Sequence, residues 1–308
     1  MSLEKLDHMF SALSTCEAWS IQLLKINTSK RAATTYMGRE ITFAPNGQLR
    51  DFVSDIVGTY IGKKGILHAF TDVREYDGSA LNQVIYKLPI TSELIAEEYK
   101  AFLEGIAQPY AEINPLEIKF QAYVLNGLIK LDGEDFPVKL ISMQNPITTL
   151  KHKFMEDNGT FKEISDKVLS LKTIIDVIIF DQCIYMLTLA GEKLFNMERS
   201  YRAVCAAKIA NLKEYDIVTD FKTFSSTAGS GHNPRKFVSF NDEHLKKLKS
   251  KPNRRKIAQK FKIPLKDDKF DTSKAETVDK LIKILCNRGM VDPFDDNPME
   301  VAGSKKWE

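Results

Sequence analysis

Cysteine is scarce in this chain, and its spacing gives it no evident chemical role. Cys16, Cys183, Cys205 and Cys286 lie far apart with no C-x-x-C pair. Neither a zinc site nor the dense disulfide framework of a small secreted domain is expected. Reduced, mostly buried thiols are the simpler expectation. Histidine is equally sparse. His8, His68, His152, His232 and His244 are isolated and show no H-x-x-x-H spacing, so a metal-binding helix is not expected. There is no G-x-S-x-G nucleophile elbow. The glycines of Gly229-Ser230-Gly231-His232 lack the spacing of a phosphate or dinucleotide loop and read as a flexible linker.

Long apolar runs are also missing. The most apolar stretch, Ile174 to Leu189, is interrupted by Asp176 and Asp181, and a bilayer span needs about 20 mostly apolar residues. The N-terminal stretch carries Glu4, Asp7 and His8 among its apolar residues, which does not suit the apolar core of a signal peptide. A cytoplasmic protein is expected, with any membrane association arising through a partner.

What is present is ordinary globular material. The 308 residues are 43% apolar and 28% charged, enough for one large or two ordinary domains. Trp19 to Ile26 alternates as a strand does, and Arg39 to Phe43 reads as a second strand. Leu49, Phe52, Val53, Ile56 and Tyr60 share one helical face. Ile66 to Val73 and Gln83 to Leu88 read as strands around a Tyr76-Asp77-Gly78 turn. Ser92 is a candidate cap for a helix reaching Ile106, and Pro109 and Pro115 break the chain after it. Leu116 to Leu131 and Val138 to Met143 flank the hairpin signal Asp132-Gly133-Glu134-Asp135. Ile174 to Phe180 and Cys183 to Leu189 form another strand pair.

Beyond Gly191 helical periodicity dominates, first over Glu192 to Glu214 and later over Thr272 to Arg288, where Ser273 is a candidate cap. The fold class is therefore α+β, with a mostly antiparallel sheet and helices before a mainly helical C-terminal region. The expected domains are 1–190 and 191–308.

The charge distribution points to a function. The formal net charge is only +3, yet Arg235, Lys236, Lys246, Lys247, Lys249, Lys251, Arg254, Arg255, Lys256, Lys260 and Lys262 crowd into one stretch opposed only by Asp242 and Glu243. That stretch carries +9, so the rest of the chain carries −6. Phe237, Phe240, Leu245, Leu248, Ile257, Ala258 and Phe261 recur through it, so it should fold as helices with one face packed and the other cationic. Ser239 or Asn241 is the expected cap of a first helix, His244 to Lys249, and Asn253 that of a second, Arg255 to Phe261. Such a face suits phosphate, because each phosphate neutralised releases condensed counterions, and contacts of this kind fix affinity without reading sequence. Docking on an acidic protein or an anionic membrane is the alternative use of the same face. The helices followed by a turn and a strand-like Met299 to Ala302 follow the order of a winged helix, but an ordinary α+β tail is the more usual source of the same pattern.

A weaker enzymatic signal is Glu117-Ile118-Lys119, whose acid and lysine would share one face of a strand. Metal-dependent nucleases use such a pair with a further acid, here Asp72, Asp77 or Glu112. The expectation is nevertheless a protein without catalytic residues, metal or cofactor.

Three stretches carry a family resemblance. Gln144-Asn145-Pro146 precedes a basic stretch with Leu150 and Phe154. The strand pair ending at Leu189 leads into Gly191-Glu192-Lys193-Leu194-Phe195-Asn196-Met197-Glu198-Arg199. Ile282-Lys283-Ile284-Leu285-Cys286-Asn287-Arg288-Gly289 runs into Glu300-Val301 and Ser304-Lys305-Lys306. From about Met143 to Trp307 the chain resembles the KwaB-like family, the cytoplasmic component of the two-gene Kiwa antiphage defence system. The resemblance implies DNA binding and joint action with KwaA, a small integral membrane protein. It also implies self-association as a homodimer or higher homo-oligomer, and a place at the inner face of the membrane through the partner. It brings no catalytic residue to any position here, and the DNA-contact residues named above rest on charge alone.

Overall fold

The computed structural model describes residues 3–16, 18–28, 33–43, 47–61, 69–72, 84–107, 118–149, 154–163, 167–240, 242–292 and 294–300. The expected features at Tyr76-Asp77-Gly78, Pro109 and Pro115 lie outside these residues. The chain divides into two compact units, Met1–Thr71 with Asn82–Asn196, and Asp72–Leu81 with Met197–Glu308.

The first unit contains α1 (Leu3–Leu13), β1 (Trp19–Asn27), β2 (Thr35–Ile41), α2 (Gly47–Ile61), β3 (Ala69–Asp72), β4 (Val84–Pro89), α3 (Ala96–Ala107), β5 (Ala122–Leu131) and β6 (Glu134–Ser142). The short strands β7 (Ile147–Thr149), β8 (Phe154–Asp157), β9 (Thr160–Glu163) and β10 (Lys167–Leu169) follow, and then β11 (Val177–Phe180), β12 (Cys183–Met186) and α4 (Gly191–Leu194). Its sheet runs in the order β2-β1-β5-β6-β11-β12-β4-β3. From β2 through β4 every neighbouring pair is antiparallel.

Two hairpins at the centre follow from turn chemistry. Leu131 pairs with Glu134, leaving Asp132 at φ 52° and Gly133 at φ 85° as a two-residue loop. Two positive φ values are what a type I′ turn demands, and Asp-Gly supplies them readily. Phe180 pairs with Cys183 around Asp181 and Gln182, at φ 50° and 57°.

Side chains alternate across the sheet, so each face builds its own layer. Ile21, Leu23, Tyr123, Leu125, Leu140, Ile178 and Tyr185 pack with Met9 and Phe10 of α1 and Val53 and Ile56 of α2. On the other face Phe102 of α3 meets Tyr36 edge-on at 5.6 Å and Phe195 at 6.0 Å. Gly105 lets α3 come this close, since a Cβ there would lie 2.3 Å from the Tyr36 carbonyl oxygen. Asp176 is buried at 8% exposure. Its carboxylate accepts from the Met143 amide at 2.6 Å and from the Thr188 hydroxyl, which ties the end of β6 to the chain leaving β12.

The second unit contains α5 (Met197–Lys213), α6 (Phe221–Ala228), α7 (Asn233–Lys236), a 3-10 turn (Phe237–Ser239), α8 (Asp242–Lys247), α9 (Lys251–Phe261), β13 (Leu265–Lys266), β14 (Lys269–Phe270), α10 (Ala275–Leu285), β15 (Gly289–Val291) and β16 (Pro298–Glu300). Its core joins Cys205, Leu212, Phe224, Phe237, Leu245, Leu248, Ala258, Phe270, Val278, Leu281 and Leu285. The architecture is the expected α+β one, an antiparallel sheet with helices and a helical C-terminal part.

Several local expectations are corrected. The helical run expected over Glu192 to Glu214 breaks at Asn196, which adopts φ 45°; asparagine tolerates that left-handed conformation and ends α4 before α5 begins. Gly229 to His232 is a hydrogen-bonded turn, not a linker. The Gly229 amide reaches the Ser225 carbonyl, the Asn233 amide reaches the Ser230 carbonyl, and the Asn233 side-chain amide holds the Thr227 carbonyl at 2.9 Å. Ser273 does not cap α10; its amide donates to the Asp271 carboxylate at 3.1 Å, and Lys274 holds the cap position.

Candidate nucleic-acid interface

The basic segment folds as α7, the 3-10 turn, α8 and α9. Its helices differ in detail from expectation. The second begins at Lys251, not Arg255, because Pro252 sits in the first turn, where a missing N–H costs nothing. Asn253 is thus inside the helix, and its side-chain amide donates to the Lys247 carbonyl at 2.9 Å. Ser239 donates to the Lys236 and Cys286 carbonyls, and Asn241 lies outside the described residues. Leu245, Leu248 and Ala258 are buried, which turns the intervening positions of both helices outward.

The eleven basic residues separate into groups. Lys246, Lys247, Lys249, Lys251, Arg255, Lys256, Lys260 and Lys262 are exposed. Among them Lys246 lies 2.6 Å from Glu243, and that hydrogen bond raises its pKa. Lys249 sits over the Tyr215 ring at 4.4 Å. Lys262, in the left-handed cap position of α9, donates to the Asn297 side chain at 3.1 Å. Lys251 and Arg255 approach Asp268 at 3.4 and 2.7 Å. Lys247, Lys256 and Lys260 have no carboxylate partner among the described residues.

Arg235 and Lys236 are half-buried on α7. The Arg235 guanidinium lies 5.5 Å from the Tyr201 ring centre, and Lys236 lies 3.8 Å from Asp279 with 17% of its side chain exposed.

Arg254 is a correction. It is 6% exposed and points into the unit. It donates to the Leu248 and Lys249 carbonyls at 2.6 and 2.9 Å and to the Asp268 carbonyl at 2.5 Å. A buried guanidinium must find such acceptors; the Leu248 and Lys249 carbonyls lie just past the end of α8, and that of Asp268 lies in the loop between β13 and β14. With its donors committed inside, Arg254 is not a phosphate contact in this conformation.

The segment-based reading missed Asp268, Tyr215 and Lys208. Asp268 belongs to the turn between β13 and β14, six residues past the segment. The signal available was Asp267-Asp268 between Lys266 and Lys269, a polar pair able to adopt positive φ. Lys208 of α5 pairs with Asp242, which removes one of the two acids counted against the segment.

Of the Glu117–Lys119 pair only Lys119 is described, and it lies outside any strand. Lys119 is exposed between buried Ile118 and Phe120 and precedes β5, while Glu117, Asp77 and Glu112 lie outside the described residues. Among the described residues no three His, Cys, Asp or Glu side chains group as a metal site. Nor, among them, is any helix long and apolar enough to cross a membrane.

The chain is thus an α+β protein that carries a cationic helical face on its C-terminal unit. The family model described as Kiwa protein KwaB-like matches residues 122–291, more than half of the chain. The chain belongs to this family, and so is a component of Kiwa antiphage defence. The match begins at Ala122, upstream of the resemblance drawn from Met143, and ends at Val291, so Glu300-Val301 and Ser304-Lys305-Lys306 fall outside it. No curated protein and no solved structure matches the chain.

Proposed function

We propose that this chain is a sequence-nonspecific DNA-binding effector of Kiwa defence that holds DNA without cutting it. It acts at the inner face of the membrane through an integral membrane partner of the KwaA type, as a homodimer or higher homo-oligomer. The observation that supports DNA binding is the outward face of α8 and α9. There Lys247, Lys256 and Lys260 stand exposed without a carboxylate partner among the described residues, beside Lys246, Lys249, Lys251, Arg255 and Lys262. Lysines of this kind act as point charges toward phosphate, and arginine adds a fork that matches two phosphate oxygens. Membership of the KwaB-like family supports the partner and the setting.

The test is binding of the purified chain to a labelled random-sequence duplex as salt rises from about 50 to 200 mM, where six to ten phosphate contacts lose about three to five decades of affinity. A steep loss, equal across sequences, is the expected result. Absence of binding at the lowest salt, with preference for acidic vesicles or for the membrane partner, would instead assign the face to docking. Incubating plasmid with the protein and Mg²⁺ or Mn²⁺ separates binding from cleavage. Intact plasmid is expected, and cutting that disappears in Glu117→Ala would overturn the non-catalytic reading.

A further inference from the structure

One carboxylate intrudes on the cationic face. Asp267 and Asp268 form the two-residue loop between β13 and β14, at φ 51° and 59°, with Lys266 paired to Lys269 across it. Phe270, just after the loop, is fully buried and anchors the hairpin. The Asp268 backbone is held independently of its side chain, because Arg254 donates to its carbonyl at 2.5 Å. The carboxylate then projects to α9. Its Oδ1 accepts from Arg255 Nε at 2.7 Å, and its Oδ2 lies 3.4 Å from Lys251 Nζ.

The turn does not require an acid at this position. A type I′ loop accepts Asn or Gly in both central places at least as readily as Asp. The Lys251 and Arg255 side chains are 66% and 67% exposed, whereas that of Asp268 is only 20% exposed. The two cations therefore remain open to solvent on their outer side while sharing one anion on the inner. Arginine binds carboxylate and phosphate with the same fork geometry.

We propose that the Asp268 carboxylate is a built-in stand-in for a backbone phosphate. It keeps Lys251 and Arg255 converged on one anion position, and DNA must displace it to use them. This rests on the DNA-binding reading above. The exchange breaks no covalent bond. The carboxylate rotates to water while the hairpin stays anchored through Arg254 and Phe270, and a phosphate oxygen takes its place. Asp268 thus sets a threshold, so the face grips DNA less tightly than its charge alone would allow.

The test is the same salt-titrated duplex assay on the full chain. Asp268→Asn keeps the shape and the turn and adds one unit of positive charge, as does Asp267→Asn next to it, which has no contact with the fork among the described residues. Asp268→Asn is expected to bind about tenfold tighter at low salt, with a salt slope steeper by about one. Asp267→Asn is expected to gain clearly less. In a Lys251→Gln, Arg255→Gln background the extra gain from Asp268→Asn should vanish. Asp268→Gly, also at ease at positive φ, repeats the comparison if the asparagine variant folds poorly. Equal gains from the two asparagine variants, or weaker binding by Asp268→Asn, would overturn the inference while leaving DNA binding standing. If neither the unaltered chain nor Asp268→Asn binds at low salt, both readings fall.

Discussion

The two units put their charged groups to different uses. In the sheet unit the ionisable groups that the fold encloses are bound to the fold itself. Asp176 is bonded to Met143 and Thr188, and burial raises the Tyr36 hydroxyl well above its ordinary pKa, with Glu98 beside it adding to the shift. In the helical unit most charges lie outside; Arg254 and Arg288 are buried, whereas Arg255, next to Arg254, faces water. A buried charge must be matched donor for acceptor and so serves architecture, whereas an exposed one contributes little to stability and remains available to a ligand. The same residue types therefore predict opposite phenotypes in the two settings.

The largest expected effect breaks the architectural side. Asp176→Ala strands the Met143 amide and the Thr188 hydroxyl, and should cost about 3 kcal/mol of stability in urea unfolding. Whatever remains folded should bind DNA as before.

Arg254 and Arg255 sharpen the contrast within one turn of helix. Arg254→Ala leaves three carbonyls without their donor and should lower stability by about 2–4 kcal/mol. Arg255→Ala should change stability by less than about 0.5 kcal/mol but reduce the salt slope of DNA binding by about one. A stability loss of similar size in both would remove the distinction.

Smaller is the response to acid. Asp220, Asp268, Asp271 and Glu276, all in the helical unit, are held below their ordinary values, first by hydrogen bonds from Thr223, Arg255, Ser273 and Lys280 respectively. Groups whose folded pKa is depressed stabilise the fold above the unfolded value, and that support is lost as pH falls through the folded one. Thermal stability should be flat above about pH 5 and decline below about pH 4.

The smallest effect concerns thiols. Burial pushes the Cys286 thiol up to about 12 and that of Cys205 up to about 11, so both should resist a disulfide reagent at neutral pH until the chain unfolds. Half-buried Cys183 should react first.

Much of the fold was legible because its signals are local. Trp19 to Ile26 alternates and is a strand. The apolar face from Leu49 to Tyr60 is a helix, and Asp132-Gly133 is a hairpin turn. The break at Asn196 was not legible, since the apolar period runs on through it and one backbone angle decides the matter. The basic segment was legible as a charged helical element but not in its phase. Pro252 moves the start of α9 to Lys251, and the burial of Ala258 then carries Arg254 to the inner face with it. Nothing in a run of Arg254, Arg255 and Lys256 says which of the three turns inward. Asp267-Asp268 was legible as a turn, but the reach of Asp268 to the segment was not, because that contact is made only through the β13–β14 hairpin.

The central claim, that the outer face of α8 and α9 holds DNA by its phosphates, is tested most directly by one variant. Lys251, Arg255, Lys256 and Lys260 changed together to Ala leave Arg254 and the core untouched, so the fold should persist. Measured against a random-sequence duplex, the variant should show a salt slope shallower by about three to four and an affinity lower for every sequence alike. A folded variant with the same slope and affinity as the unaltered chain would contradict the assignment.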